Sequence, residues 1–335
     1  MSHPYPKILS IVRQKEKPHQ GWQGAPDEKP SIERQERSFW TLPLDKGRIG
    51  TISLSKGALH IFSKRALAPS LNACWQSHIG HRRRRNEDSL LILEGESPEA
   101  SGDALISYAG NLYAVADGMG GHPAGEIASQ MVCRELKAYF LRPPGLLDRL
   151  KLMFLPGRGL ARLLERELVR AVDSAQRRLC CHERGHNECS GLGTTLSALL
   201  LSGPWAIWGN VGDSRIYRLR QGGLKQLTTD DTWMAEMLRD GDITQEELSN
   251  SPFRNVLTQA LGGGFERVHT GMEPSRKGDI YLISSDGLHD MLPDGEIQDI
   301  LKAEPVSKVC KALTERALER GGRDNVTIIV IHVSR

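Results

Sequence analysis

The segment that decides the fold runs from Leu112 to His122 and reads LYAVADGMGGH. Its first five residues are apolar, which predicts a buried β-strand over Leu112–Ala116. Asp117 ends that strand and Gly118 follows it, so a carboxylate and a main-chain carbonyl can approach the same hard cation. A single Asp-Gly pair is more often an ordinary turn. The segment therefore predicts a cation site only where other carboxylates join it.

Acidic residues end or precede several other predicted strands in the same way. The further members are Glu87 with Asp88, Asp213, Asp286 and Asp324. Mg²⁺ and Mn²⁺ prefer oxygen ligands, and rigid strand ends hold such ligands in place. Five such positions indicate a divalent-cation site rather than a set of unrelated turns.

Short apolar strands and longer helical stretches follow one another after residue 70. They lack the regular βαβ alternation of a doubly wound sheet, so the pattern predicts an α+β layered fold. The predicted strands are Ala73–Ile79, Ser89–Leu93, Leu112–Ala116, Thr194–Leu201, Trp205–Asn210, Arg215–Leu219, Leu224–Leu227, Asp279–Ser284 and Val326–Val333. The predicted helices are Ala124–Phe140, Leu160–Cys181, Thr232–Arg239, Gly295–Lys302 and Pro305–Arg320.

The composition is that of a soluble globular protein. Of the 335 residues, 39% are hydrophobic and 25% are charged, and a net charge of only +3 argues against a general nucleic-acid binder. The longest uncharged apolar runs have the length of strands and fall well short of the ~20 residues that span a bilayer. Six scattered cysteines and no signal-peptide pattern predict a reducing, cytoplasmic location.

The first 70 residues differ from the rest in charge and proline content. They carry 12 Lys/Arg against 6 Asp/Glu and 7 of the 17 prolines, whereas the remainder carries 32 against 35. Up to about residue 37 the segment is polar and interrupted by proline, which predicts a mobile chain. Residues 49–62 have the pattern of a β-hairpin. We expect residues 1–70 to form a basic extension that docks on a partner, and residues 71–335 to form the main domain.

Seven short motifs after residue 70 resemble, in their order and spacing, those of the metal-dependent protein phosphatases, the type 2C Ser/Thr family, in its bacterial form. The motifs are Arg83–Asp88 (RRRNED), Val115–His122 (VADGMGGH), Gly191–Thr195 (GLGTT), Gly212–Arg215 (GDSR), Leu261–Gly263 (LGG), Ser285–Gly287 (SDG) and Gly322–Val326 (GRDNV). The resemblance covers residues 71–335. It implies a four-layer αββα sandwich with two central antiparallel sheets and a binuclear metal centre at one end.

The resemblance implies a role for each acidic residue of these motifs. Asp117 would bridge two Mn²⁺ or Mg²⁺ ions. The Gly118 carbonyl and Glu87 would serve one of these ions, directly or through water. Asp286 and Asp324 would hold the other ion.

Further roles follow from the same resemblance. A third, weaker cation would be held by Asp213 together with Asp286. Arg83 matches the arginine that grips the substrate phosphate, and Asp88 and Asn325 match residues that support the metal ligands. The implied substrates are phosphoserine and phosphothreonine in proteins that a cognate kinase has phosphorylated.

The residue types lead to the same chemistry independently of the family. Two divalent ions roughly 3.5–4 Å apart lower the pKa of a bridging water and clamp the oxygens of an in-line displacement, so that a hydroxide attacks a phosphate ester directly. No serine or cysteine has the sequence context of a nucleophile, and we expect no covalent intermediate. Arg83 offers a planar fork for two phosphate oxygens, whereas the neighbouring arginines fit a solvated basic rim better.

One position departs from the animal members of the family. Those members carry a histidine two residues after the bridging aspartate as the general acid, and here that position is Met119. His122 is the nearest substitute. Either His122 or a water molecule would protonate the leaving alkoxide, and a purely structural role of His122 in its loop is the alternative.

Three other segments carry hypotheses of their own. Residues 228–264 resemble the flap of bacterial members, with helix starts at Thr232 and at the capping box Thr244–Glu247. Residues 142–160 resemble an insertion, whose basic helix is more commonly packed on the outer layer than laid on an anionic membrane or a partner. Residues 180–189 contain enough Cys and His to hold Zn²⁺, although a helix C-terminus at Gly185 explains most of that pattern.

Two competing functions stay open at this point. A degenerate phosphatase would bind phosphoproteins without hydrolysing them, and it would be expected to lack one of Asp117, Asp286 or Asp324, all of which are present. A hydrolase of small phosphoesters would share the metal centre and differ only in the flap and the basic rim.

Overall fold

Two antiparallel sheets with helices on their outer faces form the body of the computed structural model, which describes residues 38–44, 48–55, 58–64, 71–95, 104–119, 123–185, 191–244, 246–247 and 251–334. The strands are β1 (Ser38–Leu44), β2 (Arg48–Ser55), β3 (Ala58–Lys64), β4 (Leu71–His78), β5 (Asp88–Glu94), β6 (Asn111–Met119), β7 (Gly193–Thr194), β8 (Leu196–Ser202), β9 (Trp205–Val211), β10 (Arg215–Arg220), β11 (Gly223–Gln226), β12 (His269–Pro274), β13 (Ile280–Ser284) and β14 (Val326–Val333). The helices are α1 (Leu105–Ala109), α2 (Pro123–Leu141), α3 (Leu146–Phe154), α4 (Gly157–Gly185), α5 (Trp233–Asp240), α6 (Asp286–His289), α7 (Asp294–Ala303) and α8 (Val306–Glu319).

The strand order defines the two central sheets. One sheet has five strands in the order β11-β10-β13-β14-β4, and the other has six in the order β12-β9-β8-β6-β5. All the recorded pairs within them are antiparallel. The two-residue strand β7 is not in either order; it pairs with Gly118 and Met119 at the end of β6.

Alternation along the central strands sorts their side chains into different layers. In β6, Leu112 and Ala114 belong to the cluster under the helices, while Tyr113 and Val115 belong to the cluster between the sheets. Successive side chains of a strand point to opposite faces, so an unbroken apolar run is what a strand buried on both faces requires. The continuous apolar pattern of Leu112–Ala116 is thereby explained.

Three apolar clusters fill the spaces between four layers. The first lies between the six-stranded sheet and α1–α4, the second between the five-stranded sheet and α6–α8, and the third between the two sheets. This arrangement confirms the predicted α+β, αββα sandwich. Among the described helices, none is both long enough and apolar enough to cross a bilayer.

Some predicted elements need correction. The single strand predicted over Thr194–Leu201 is interrupted at Thr195, whose backbone N–H donates to the Asp117 carbonyl at 2.8 Å. Strand β12 and helix α1 were not predicted, because β12 contains Gly271 and Pro274 and α1 has only five residues. The other predicted elements are present, with ends that differ by a few residues.

The N-terminal 70 residues are described only in part. Strands β1, β2 and β3 pair as an antiparallel sheet of three strands, and β2 and β3 contain most of the 49–62 segment. The first 37 residues, which were predicted to be mobile, lie outside the described residues. The domain boundary at residue 70 stays a prediction.

Candidate metal centre

Carboxylates from both sheets meet at one end of the sandwich. Asp88 begins β5 and lies directly opposite Asp117 of β6 in the ladder. Asp213 follows β9, Asp286 begins α6 just after β13, and Asp324 lies just before β14. Strand ends of two packed layers thus bring together side chains that are up to 236 positions apart in sequence.

The backbone of Asp117 is fixed by the motif Gly191–Thr195. The Asp117 N–H donates to Thr195 Oγ1 at 3.1 Å, and its carbonyl accepts from Thr195 N and from Thr194 Oγ1, each at 2.8 Å. Both threonines are buried. These bonds leave the Asp117 carboxylate free to face the cluster.

Asn325 ties the loop that carries Glu87 to the start of β14. Its Oδ1 accepts from the Glu87 N–H at 2.8 Å, and its Nδ2 donates to the carbonyls of Ile79 at 2.8 Å and Arg85 at 2.9 Å. The Glu87 carbonyl in turn accepts from the Gly118 N–H at 3.2 Å. Glu87 and Gly118 are therefore held side by side.

Asp88 links the two sheets. Its Oδ2 accepts from Ser285 Oγ at 2.8 Å, and Ser285 Oγ accepts from the Thr327 N–H at 3.0 Å. The other Asp88 oxygen, Oδ1, is buried and has no hydrogen-bond partner among the described residues. Burial raises the pKa of Asp88 to about 6, above the ordinary value for an aspartate.

Burial and mutual repulsion both act on the carboxylates of this cluster. Burial first, and then neighbouring carboxylates, raise the pKa values of Asp117 and Asp286 well above their ordinary range. Burial, with Asp230 nearby, raises the pKa of Asp213 to about 7. Asp286 Oδ1 is buried without a hydrogen-bond partner among the described residues. A cation would neutralise this concentration of negative charge.

Arg83 is the one arginine of its motif that contacts the cluster. Its Nη2 donates to Asp324 Oδ2 at 2.5 Å, and its side chain is 47% exposed. That hydrogen bond raises the pKa of the Arg83 guanidinium. Arg82, Arg84 and Arg85 are exposed and are recorded in no ion pair within the described ranges, as a solvated rim requires.

Two glycines allow the close backbone approaches that the site needs. A Cβ on Gly287 would lie 1.9 Å from the Asn325 carbonyl oxygen, and one on Gly118 would lie 2.2 Å from the Gly125 carbonyl oxygen. Either contact is far inside van der Waals distance. Glycine after Asp117 and after Asp286 is therefore dictated by packing as well as by any ligand role.

The flap is anchored to the cluster by residues that sequence reasoning did not single out. Asp231 Oδ2 accepts from the Gly212 N–H at 2.9 Å and from Gln259 Nε2 at 2.8 Å. Asp290 Oδ2 accepts from Asn255 Nδ2 at 2.6 Å. Asp290 lies four residues after Asp286, and this helical spacing indicates that the two side chains lie on the same face.

The predicted start of the first flap helix is present. Thr232 is the N-cap residue of α5, and its Oγ1 accepts from the Ala235 N–H at 3.2 Å. Thr244 and Glu247 make both bonds of the predicted capping box, since the Thr244 N–H donates to Glu247 Oε2 at 2.7 Å and the Glu247 N–H donates to Thr244 Oγ1 at 3.3 Å. The hydrogen bonds expected of both predicted helix-start motifs are therefore present in the structure.

Two predicted features fall partly or wholly outside the described residues. His122 is outside them, whereas Met119 is the last residue of β6. His186 and Cys189 of the predicted zinc segment are also outside, and α4 ends at Gly185 as the alternative explanation required. Within the described ranges, no three His, Cys, Asp or Glu side chains form a closed set around one point.

Known proteins share both the sequence and the fold of this chain. The sequence profile described as protein phosphatase 2C matches residues 101–325. The chain belongs to the protein phosphatase 2C family. This membership confirms the predicted family and the predicted enzyme class.

Relatives in the protein phosphatase 2C family cover most of the chain. The serine/threonine protein phosphatase PstP of Mycobacterium tuberculosis is 40% identical over 77% of this chain and 44% of its own length. The serine/threonine phosphatase stp of Listeria welshimeri is 32% identical over 78% of this chain and 95% of its own. A crystal structure of the PstP catalytic domain with two manganese ions superposes with a TM-score of 0.64 at 34% identity, over 79% of this chain and 99% of that one.

Proposed function

We propose that this protein is a Mn²⁺- or Mg²⁺-dependent phosphatase of phosphoserine and phosphothreonine in proteins, acting without a covalent intermediate. The strongest support is the meeting of carboxylates from both sheets, with the buried Asp286 Oδ1 lacking a hydrogen-bond partner among the described residues. The manganese in the related PstP structure supports the same choice of metal.

The donor set fits two hard cations. Asp117 would bridge them, Gly118 and Glu87 would serve one, and Asp286 and Asp324 would hold the other. Since no three described side chains form a closed set, the Gly118 carbonyl and water molecules would complete the coordination. When bound, paired divalent cations supply a nucleophile at neutral pH and an electrophilic clamp on the phosphate.

A weaker third cation would be held by Asp213 with Asp286. The raised pKa of Asp213, about 7, supports this because its carboxylate is buried near other negative charges. A cation bound there would offset this buried negative charge.

Side chains around the centre would orient the substrate phosphate and the metal ligands. Arg83 would bind two oxygens of the substrate phosphate through its guanidinium fork, and Asp324 holds that fork in place. Asn325 holds the Glu87 backbone, and Thr195 holds the Asp117 backbone. The nucleophile and the phosphate would therefore meet between elements that hydrogen bonds hold in place.

The serines close to the centre support direct attack rather than a covalent intermediate. Ser285 is buried and bonded to Asp88, while Ser214 is buried with its Oγ 2.7 Å from Thr195 Oγ1. Ser89 Oγ lies 3.0 Å from Ser129 Oγ. Each of these hydroxyls already has a structural partner.

Proton delivery to the leaving alkoxide is assigned to His122 or to a water molecule. A His122→Gln variant separates the two. Loss of the alkaline limb of the kcat profile together with a large fall in kcat would assign the proton to His122. An unchanged profile would assign it to water.

The decisive test is hydrolysis by the purified full chain of matched peptides that contain phosphoserine, phosphothreonine or phosphotyrosine. We expect turnover of the first two with Mn²⁺ and none with EDTA. Turnover in EDTA would overturn the metal-dependent mechanism. Binding of the peptides without any hydrolysis in Mn²⁺ would instead identify a phosphoprotein-binding module.

A further inference from the structure

Helix α3 presents an apolar face that no other described residue covers. Leu146 is 63% exposed, Leu147 is 72% exposed and Phe154 is 52% exposed. Exposed hydrophobic residues are common singly, but three large ones on a nine-residue helix form a patch. The patch lies outside the metal centre and the flap.

The geometry of the helix puts these side chains on one stripe. Phe154 lies eight positions after Leu146 and seven after Leu147, so these three exposed side chains share one side of the helix, whereas Leu150 packs partly against the first apolar cluster. The buried side of the same helix is carried by Leu152 and Met153. Helix α3 is therefore anchored by one face and leaves a second apolar face open.

A row of arginines follows the apolar stripe directly. Arg158, Arg162 and Arg166 recur every four residues at the start of α4, and all three are exposed. Among the described residues, none of the three is recorded in an ion pair or a hydrogen bond. Within that part of the chain, these three arginine side chains make no ion pair that would stabilise the fold, and they are available to bind a negatively charged partner.

The segment that contains α3 and the start of α4 carries an excess of positive charge. Residues 142–170 contain seven Lys or Arg against three Asp or Glu. Two of the acidic residues are already engaged, Glu167 with Arg142 and Arg170, and Asp148 with Lys151 at 3.7 Å. The segment that contains the apolar stripe therefore carries net positive charge.

We propose that α3 and the start of α4 form a docking surface for an anionic lipid bilayer. The apolar stripe would enter the boundary between headgroups and acyl chains, and the arginine row would meet the lipid phosphates. An exposed apolar helix face that is followed along the chain by a row of exposed arginines fits this interface. The phosphatase would then work at a membrane surface without spanning it.

Co-sedimentation of the full chain with vesicles tests the proposal. Vesicles of phosphatidylcholine alone are compared with vesicles that contain phosphatidylglycerol, at low and high salt. We expect binding only to the anionic vesicles, weakened by salt because exposed charges are screened. Equal binding to both vesicle types, or binding to neither, would overturn the proposal.

Two variants and one matched control locate the surface. Leu147→Gln with Phe154→Gln should weaken binding about tenfold or more by removing apolar contact. Arg158→Gln, Arg162→Gln and Arg166→Gln together should weaken it by roughly fivefold for each lost charge. The control removes the same charge elsewhere and should bind like the wild type; it combines Lys225→Gln, Lys277→Gln and Lys308→Gln.

Other occupants give different results. If both variants bind vesicles like the wild type, the basic N-terminal residues and not α3 carry the binding, and the proposal is wrong. If vesicles do not bind but the Leu147→Gln, Phe154→Gln variant abolishes self-association in ultracentrifugation, the patch meets a second copy. Hydrolysis of a small phosphoester should be unchanged in every variant, which shows that each one folds.

Discussion

Arg83 donates to the Asp324 carboxylate at 2.5 Å, so the residue proposed to bind phosphate is held by a residue proposed to bind metal. Asp324 would therefore contact both the Arg83 guanidinium and a cation. The Arg83 side chain is 47% exposed, so a phosphate can reach it from solvent. On the proposed assignment, substrate binding and metal binding would be coupled through this one carboxylate.

The Arg83 fork predicts how its removal changes the kinetics. Arg83→Ala should raise KM for a phosphopeptide about tenfold or more and lower kcat less, since a bond to phosphate made equally before and during reaction is lost. Steady-state kinetics in saturating Mn²⁺ measures both constants. Arg84→Ala is the matched control and should behave like the wild type. An unchanged KM for Arg83→Ala would move the phosphate elsewhere.

Asp117→Asn should abolish hydrolysis, because the proposed bridging carboxylate is lost together with the paired cations. The same change should raise the melting temperature of the metal-free protein, since one of several mutually repelling carboxylates disappears. Activity assays and thermal denaturation in EDTA give the two readouts. Asp148→Asn, at a half-exposed position outside the carboxylate cluster, is the control. Activity within tenfold of the wild type would refute the bridging role.

Stability without metal should depend on pH in a specific direction. Burial raises the pKa of Asp88 to about 6 and that of Asp213 to about 7, whereas in the unfolded chain each titrates near 4. The folded state thus binds more protons than the unfolded state between about pH 4 and pH 7. The free energy of unfolding should fall as pH rises through this window.

Thermal denaturation from pH 4.5 to 8 checks this expectation. The metal-free protein should melt at lower temperature as pH rises. The Mn²⁺-loaded protein should show the opposite trend, because protons compete with the cation for the carboxylates. Asp213→Asn should flatten the curve of the metal-free protein. A metal-free melting temperature that rises over the window would contradict the raised pKa values.

Gly287 should tolerate no side chain. Its Cβ would lie 1.9 Å from the Asn325 carbonyl oxygen, so Gly287→Ala must shift either α6 or the start of β14. We expect a loss of about 2 kcal/mol or more in the free energy of unfolding, measured by urea denaturation. Gly295→Ala is the control, since no atom lies within 4 Å of its Cβ position. Equal stability of the two variants would show that the Gly287 contact relaxes freely.

Removal of residues 1–70 tests the predicted boundary. A chain that begins at Leu71 should keep its Mn²⁺-dependent activity on a small phosphopeptide and should lose efficiency toward its physiological partner. Circular dichroism and peptide kinetics check the first part, and pull-down from the native cell extract checks the second. A shortened chain that fails to fold or to hydrolyse the peptide would place the 49–62 segment inside the catalytic domain.

Local patterns predicted the strands that lie in the middle of the sheets. The largely apolar run Val326–Val333 has the same bounds in the structure, because a strand buried on both faces needs mostly apolar residues. The carboxylates were also predictable, since each follows or precedes such a strand. What the pattern could not supply was β12, where Gly271 is required because the Trp208 ring lies 2.3 Å from its Cβ position.

The supports of the site were harder to predict than its carboxylates. Asp231 and Asp290 are held by partners from other elements, such as Gln259 and Asn255. Such partnerships depend on which loops become neighbours after folding. A single sequence contains no local signal for them, apart from the helical spacing of Asp290 from Asp286.

The hydrogen bond between Ser285 and Asp88 crosses from one sheet to the other at the very end where their carboxylates repel each other. On the proposed assignment, a divalent cation bound here would replace that repulsion with bonds that join the two sheets. The concentration of free cation would then set how tightly this end of the sandwich closes. Amide hydrogen exchange at the ends of β6 and β14 should therefore slow as the cation concentration rises. The cations that enable turnover would also suppress local opening of this end of the protein.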